Sequence, residues 1–214
     1  MKLRSIALAA LLMSGMALSA SADPVPLVNP GFELPGSVKI TGGFDLSTND
    51  VPGWSNTGTV YNDSGVESSG GTWIAFLRGG DDGVFQTTSH NAAANERLTL
   101  DYKARSTWQA TDVTAGLFYL DASGQRQNLQ TGIANVTGNP DTSPFANFTL
   151  SYDIPVDSPA IGRPVGVFFD NTTTAAGTWA GIDDVALTVT LVPEPGAVAL
   201  VSLLSLPLLR RRRK

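Results

Sequence analysis

The chain contains no cysteine. That absence excludes a disulfide framework, a thiol nucleophile, zinc-thiolate sites and iron–sulfur clusters. Histidine is nearly absent as well. The single one, His90 in Thr88-Ser89-His90-Asn91, lies in a polar stretch with no nucleophile-elbow motif beside it. A Ser-His-Asp site therefore has little to be built from, and a solvated surface histidine is expected. Basic residues are scarce except at the two ends, where Lys2 and Arg4 open the chain and Arg210 to Lys214 close it. Between them, Asp23 to Leu209 carries seven basic against nineteen acidic residues, a net charge of −12. Such a surface repels polyanions, which excludes nucleic acid as a partner. Helical periodicity and internal repeats are missing too. A domain without disulfides must be held by core burial, alone or with a metal; about 170 residues are enough, since a domain of that size buries roughly two thirds of its unfolded surface.

What is present begins with the ends. Met1 to Arg4 is a short charged segment, Ile6 to Leu18 is mainly apolar, and Ala20-Ser21-Ala22 supplies small residues before Asp23. That pattern predicts a signal helix over residues 1–22, cut by signal peptidase before Asp23. The other end reads Val192-Pro193-Glu194-Pro195-Gly196, then thirteen mostly apolar residues from Ala197 to Leu209, then five basic ones. A helix through the apolar run would rise only about 20 Å, so it suits a temporary membrane anchor better than a permanent span. The terminal basic block would stay cytoplasmic, leaving the body on the far side of the membrane.

The order of Pro193, Glu194, Pro195, apolar run and arginine block resembles the PEP-CTERM sorting signal, over residues 192–214. The resemblance implies a Gram-negative bacterium that exports exopolysaccharide, recognition by an exosortase, removal of the tail, and release to the cell surface or matrix. A plain tail anchor is the alternative.

Residues 23–191 alternate apolar and polar positions over short runs bounded by Gly, Pro, Asn and Asp, which predicts an all-β domain, a single antiparallel sandwich. In Arg97 to Lys103, Leu98, Leu100 and Tyr102 share a face; in Asn147 to Ile154, Phe148, Leu150, Tyr152 and Ile154 do. Further strands are expected at Thr72–Leu77, Val84–Thr87, Val113–Leu120, Pro164–Asp170 and Ile182–Leu191. The domain opens with Leu27-Val28-Asn29-Pro30-Gly31-Phe32-Glu33, continues through Val51-Pro52-Gly53-Trp54, and closes with Gly181-Ile182-Asp183-Asp184-Val185. This succession resembles the galactose-binding-like jelly rolls, including carbohydrate-binding modules. It departs from them in the long loop after Glu33 and in lacking an aromatic cluster that marks a sugar platform.

In the resembling modules the first and last strands are neighbours and often share a structural calcium. That implies Glu33 and Asp183 as ligands, with Asp184 as a substitute, completed by main-chain carbonyls. Sugar binding needs ring faces and hydrogen-bonding groups. Trp108, flanked by polar residues, is the ring expected to be exposed, and Trp179 and Tyr61 are the other candidates. Trp54 and Trp73 are expected in the core. Carboxylates are abundant, but a glycosidase pair is defined by spatial separation, which sequence does not give. The resulting expectation is a non-enzymatic matrix protein that binds or organises exopolysaccharide. A purely adhesive protein and a matrix glycan hydrolase are the alternatives.

Overall fold

A computed structural model describes residues 21–34, 51–56, 65–69, 72–80, 83–137, 144–175 and 177–193. These form eleven strands: β1 (Asp23–Val25), β2 (Ser55–Asn56), β3 (Gly65–Ser69), β4 (Thr72–Arg78), β5 (Val84–Asn91), β6 (Glu96–Trp108), β7 (Asp112–Leu120), β8 (Arg126–Asn135), β9 (Ala146–Asp153), β10 (Pro164–Asn171) and β11 (Trp179–Leu191). The expected signal and sorting helices, and the motif residues Glu194 and Pro195, lie outside the described residues.

Two antiparallel sheets face each other. One has the order β3-β4-β11-β6-β9, with β1 also on β11, and the other β2-β5-β10-β7-β8. From β4 onward the chain crosses between the sheets at every step except the β7–β8 hairpin, giving a two-layer sandwich.

Period-two alternation sorts the side chains. In β6, Leu98, Leu100, Tyr102 and Ala104 are buried, while Arg97, Thr99, Asp101 and Lys103 face out. Opposite them, Val113, Ala115 and Leu117 of β7 and Val165, Val167 and Phe169 of β10 are fully buried. Aromatic rings bridge the layers: Phe32 stacks on Trp54 at 4.7 Å, Trp54 meets Phe169 at 6.2 Å, and Phe169 meets Tyr102 edge-on at 5.0 Å. Burial pushes the Tyr102 hydroxyl up to about 12. Trp54 is thus a core residue as expected, while Trp73 is half-buried and packs against the core rim.

The opening and closing motifs meet. Asn29 and Phe32 adopt φ of 53° and 56°, and the Asn29 side chain closes the turn by exchanging 3.0 Å hydrogen bonds with the backbone of Leu34. The indole Nε1 of Trp54 donates to the Asn29 carbonyl at 3.0 Å, and Val185 N donates to the Pro30 carbonyl at 3.0 Å.

The β7–β8 hairpin turns on one carboxylate. Asp121 Oδ1 accepts from Ser123 Oγ (2.6 Å), Ser123 N (2.8 Å) and Gln125 N (3.0 Å), and Oδ2 accepts from Gln127 Nε2 (2.9 Å). These bonds, led by the Ser123 hydroxyl, lower its pKa from 3.8 to about 2. A depressed folded-state pKa contributes stability that is present above the unfolded value and lost as pH falls through the folded one. Between pH 3.8 and about 2 the wild-type chain should therefore lose stability more steeply than Asp121→Ala, in denaturant melts at each pH. Parallel slopes would contradict this role.

Candidate functional site

The outward face of the five-stranded sheet is set by the register of β7 against β10. That register places Gly116 opposite Phe168 and Gly166 opposite Phe118. Each glycine leaves a hollow that the facing ring fills: a Cβ on Gly116 would collide with the Phe168 ring, and one on Gly166 with the Phe118 ring and the Gln86 carbonyl. Rings laid over strand glycines are a recurrent way of covering exposed backbone. On β5, Phe85 pairs with Phe168 and meets Phe118 edge-on at 6.1 Å. The Arg126 guanidinium lies 4.3 Å from the Phe85 centroid and 5.8 Å from that of Phe118. Burial lowers its pKa from the free guanidinium value.

Phe118 is fully buried beneath these groups, whereas Phe85, Phe168 and Arg126 are half-buried. Around them stand hydroxyls and amides: Thr87 and Ser89 on β5, Thr114 joined to Thr172 at 3.0 Å, and Thr131 and Asn128 on β8. Ring faces bordered by neutral donors and acceptors can stack on the C–H face of a pyranose and bind its hydroxyls.

The residues singled out from the sequence fall elsewhere. Trp108 ends β6 and is 48% exposed. An isolated bridge between Gln109 and Trp179 brings the end of β6 to the start of β11, so the two tryptophans share one pole of the sandwich. Trp179 is half-buried, stacked on Phe76 at 4.3 Å with the Arg78 guanidinium 5.7 Å from its ring centroid, on the outer face of the six-stranded sheet. Tyr61 lies outside the described residues.

Glu33, Asp183 and Asp184 do converge, around Gly31. A Cβ on Gly31 would lie 3.7 Å from Asp183 Oδ1, 3.9 Å from Glu33 Cγ and 4.0 Å from Asp184 Oδ1. Their roles differ. Glu33 accepts a hydrogen bond from Trp73 N at 3.3 Å, and Asp183 accepts one from Asp184 N at 2.7 Å. Burial, then the charges of Asp184 and Glu33, push the Asp183 carboxyl up to about 6. Asp184, at φ 48° in a bulge, turns its carboxylate to Lys103 Nζ at 2.6 Å. It is therefore an ion-pair partner more than a substitute ligand. Among the described residues no set of three or more metal-ligating side chains is assembled.

His90 is not the solvated residue expected. The turn from Ala92 to Asn95 folds Glu96 back on it, Nε2 to Oε2 at 3.0 Å, and the same oxygen accepts Ala93 N at 2.8 Å. Pro193 follows directly on the fold: Leu191 still pairs with Glu96, and Val192 N donates to the Asn95 carbonyl at 2.7 Å.

Phe85, Phe118, Phe168 and Arg126 were passed over because outward rings in a strand resemble core. A signal was available in Gly116-Leu117-Phe118 and Gly166-Val167-Phe168, the same glycine-x-phenylalanine spacing in two strands.

No protein-family model and no curated protein matches the chain by sequence. Solved structures do match it. The Stig cyclase Fisc from Fischerella sp. TAU, in complex with (3Z)-3-(1-methyl-2-pyrrolidinylidene)-3H-indole, aligns with a TM-score of 0.63 and 20% identity, covering 81% of this chain and 100% of that one. A second cyclase structure from Fischerella sp. TAU aligns at 0.64 and 19%, with the same coverage. The CBM22-1 xylan-binding domain from Paenibacillus barcinonensis Xyn10C aligns at 0.46 and 15%, over 70% of this chain and 92% of that one. What the chain shares with the cyclases is the β-sandwich fold.

The two glycines differ in what surrounds them. Gly166→Ala must displace backbone and a buried ring, and should cost about 1–3 kcal/mol in denaturant unfolding. Gly116→Ala meets the half-exposed Phe168 ring, which can swing outward, and should cost clearly less. Equal losses would contradict the reciprocal packing.

Proposed function

We propose that the body is a non-catalytic carbohydrate-binding domain that holds exopolysaccharide across the outer face of the five-stranded sheet. The observation that supports it is the half-buried pair Phe85 and Phe168, with Phe168 seated over Gly116 and the pair bordered by neutral hydroxyls and amides. Trp108 offers a further exposed ring at the pole of the sandwich. The test is retention of the full chain on immobilised polysaccharides, including the matrix of the producing cell. Phe168→Ala should weaken retention about tenfold, equivalent to roughly 1.4 kcal/mol. Unchanged retention of Phe168→Ala, or loss in Trp108→Ala alone, would move the site off this face.

Delivery follows from the two ends of the sequence: signal peptidase cuts before Asp23, and an exosortase acts at Pro193-Glu194-Pro195 before release to the cell surface or matrix. A purely adhesive role is the second reading. It draws on the polar ladder across β6 and β9, where Arg97 pairs with Asp153, Thr99 with Ser151 and Asp101 with Thr149.

We further propose that Glu33 and Asp183, with nearby carbonyl oxygens, hold a calcium ion joining the opening segment to β11. Hard oxygen donors suit that ion, and the crowding of negative charge at Gly31 is what a cation would relieve. Calcium should then raise the melting temperature, EDTA should lower it, and Glu33→Gln should abolish both effects. A melting temperature indifferent to both additions would refute the site.

A further inference from the structure

Strand β8 ends the sheet order β2-β5-β10-β7-β8, so one long side of it carries no ladder among the described residues. Exposed edges of this kind are normally blunted by lysine, proline, inward charges, bulges or short length. The ten residues of β8, RQNLQTGIAN, include no lysine, proline or carboxylate. This is a carboxylate-free stretch on a body of net charge −12. One bulge interrupts it. Gln130 pairs with Leu117 and Asn128 with Phe118, leaving Leu129 as the extra residue and Gln130–Asn135 as the regular run.

Two features show how that run faces outward. Ile133 is 73% exposed, the highest value for a large apolar side chain among the described residues. The Thr131 carbonyl accepts the side-chain amide of Gln130 at 3.2 Å, a local donor standing where a neighbouring strand's N–H would be. Backbone groups of a strand point alternately to its two sides, so Thr131, Ile133 and Asn135 present theirs away from β7.

We infer that β8 is a self-association edge at which two copies of the chain pair antiparallel along Gln130–Asn135. A two-fold pairing must set residues of the same face opposite each other, so facing residue numbers have an even sum. Centring the outward-directed residues puts Ile133 against Ile133 of the partner subunit, and Thr131 against Asn135 of the partner subunit. The exposed isoleucines then cover each other, and the Thr131 carbonyl gains a backbone donor. The two Arg126 side chains fall at opposite ends, about 45 Å apart along the strands, well beyond the screening length. An acidic body meets its copy along the stretch that adds no repulsion.

The chain's lack of cysteine makes the test direct. In an antiparallel hydrogen-bonded pair the facing Cα atoms are about 5.5 Å apart, within disulfide range. Ile133→Cys, in the full chain under a mild oxidant, should form a disulfide-linked dimer on a non-reducing gel at least tenfold faster than two exposed controls. These are Gln127→Cys, on β8 but beyond the overlap, and Asn147→Cys, on β9. Cross-linking of Ile133→Cys no faster than either control would overturn the inference, whether the dimer forms by collision or through another edge.

Discussion

The register of β7 against β10 fixes which side of each strand becomes core and which becomes surface. Alternate residues Val113, Ala115 and Leu117 meet Val165, Val167 and Phe169 on the inside, and the intervening positions bring each glycine under the other strand's phenylalanine. A slip of one residue would turn the core set outward and the glycines inward. The pairs act as a key, because a Cβ on Gly166 would collide with the Phe118 ring and the Gln86 carbonyl. The same constraint seats Phe168 over Gly116 and leaves that ring half-buried on the outer face. Architecture and the proposed binding surface therefore share one cause.

With no disulfide available, closure of the sandwich falls to the opening segment. β1 pairs with β11 from Asp23 opposite Val189 to Val25 opposite Leu187, the Asn29 turn plugs Phe32 under Trp54, and Pro30 accepts the Val185 amide. Strand β11 is consequently held on both sides, by β1 and β4 along one and by β6 along the other. Its two ends define two poles. Asp23 and Pro193 emerge at one, and Trp108 and Trp179 stand at the other, about 40 Å away along a thirteen-residue strand.

Much of the fold was legible because burial on one side leaves a period of two. Leu98, Leu100 and Tyr102 announced β6, and all seven expected strands lie at their places. β6 runs on to Trp108 because β11 continues beside it, a partner the local sequence does not name. β8 went unrecognised because an edge strand with both faces largely exposed has no alternation to read. β1, β2 and β3 are short and take their identity from their partners. At the site, Glu33 and Asp183 were readable from the opening and closing motifs, but the turning of Asp184 to Lys103 depends on a bulge. The His90–Glu96 pair depends on a tight turn, and the phenylalanine face on a register between strands about fifty residues apart.

The central claim is that the half-buried Phe85 and Phe168 rings on the outer face carry the contact with sugar. Nuclear Overhauser transfer between the phenylalanine ring protons and an oligosaccharide cut from the retained polysaccharide tests it most directly. The account predicts transfer from Phe85 and Phe168 to sugar C–H protons. Binding with transfer from the Trp108 indole alone, or from no aromatic ring, would contradict it.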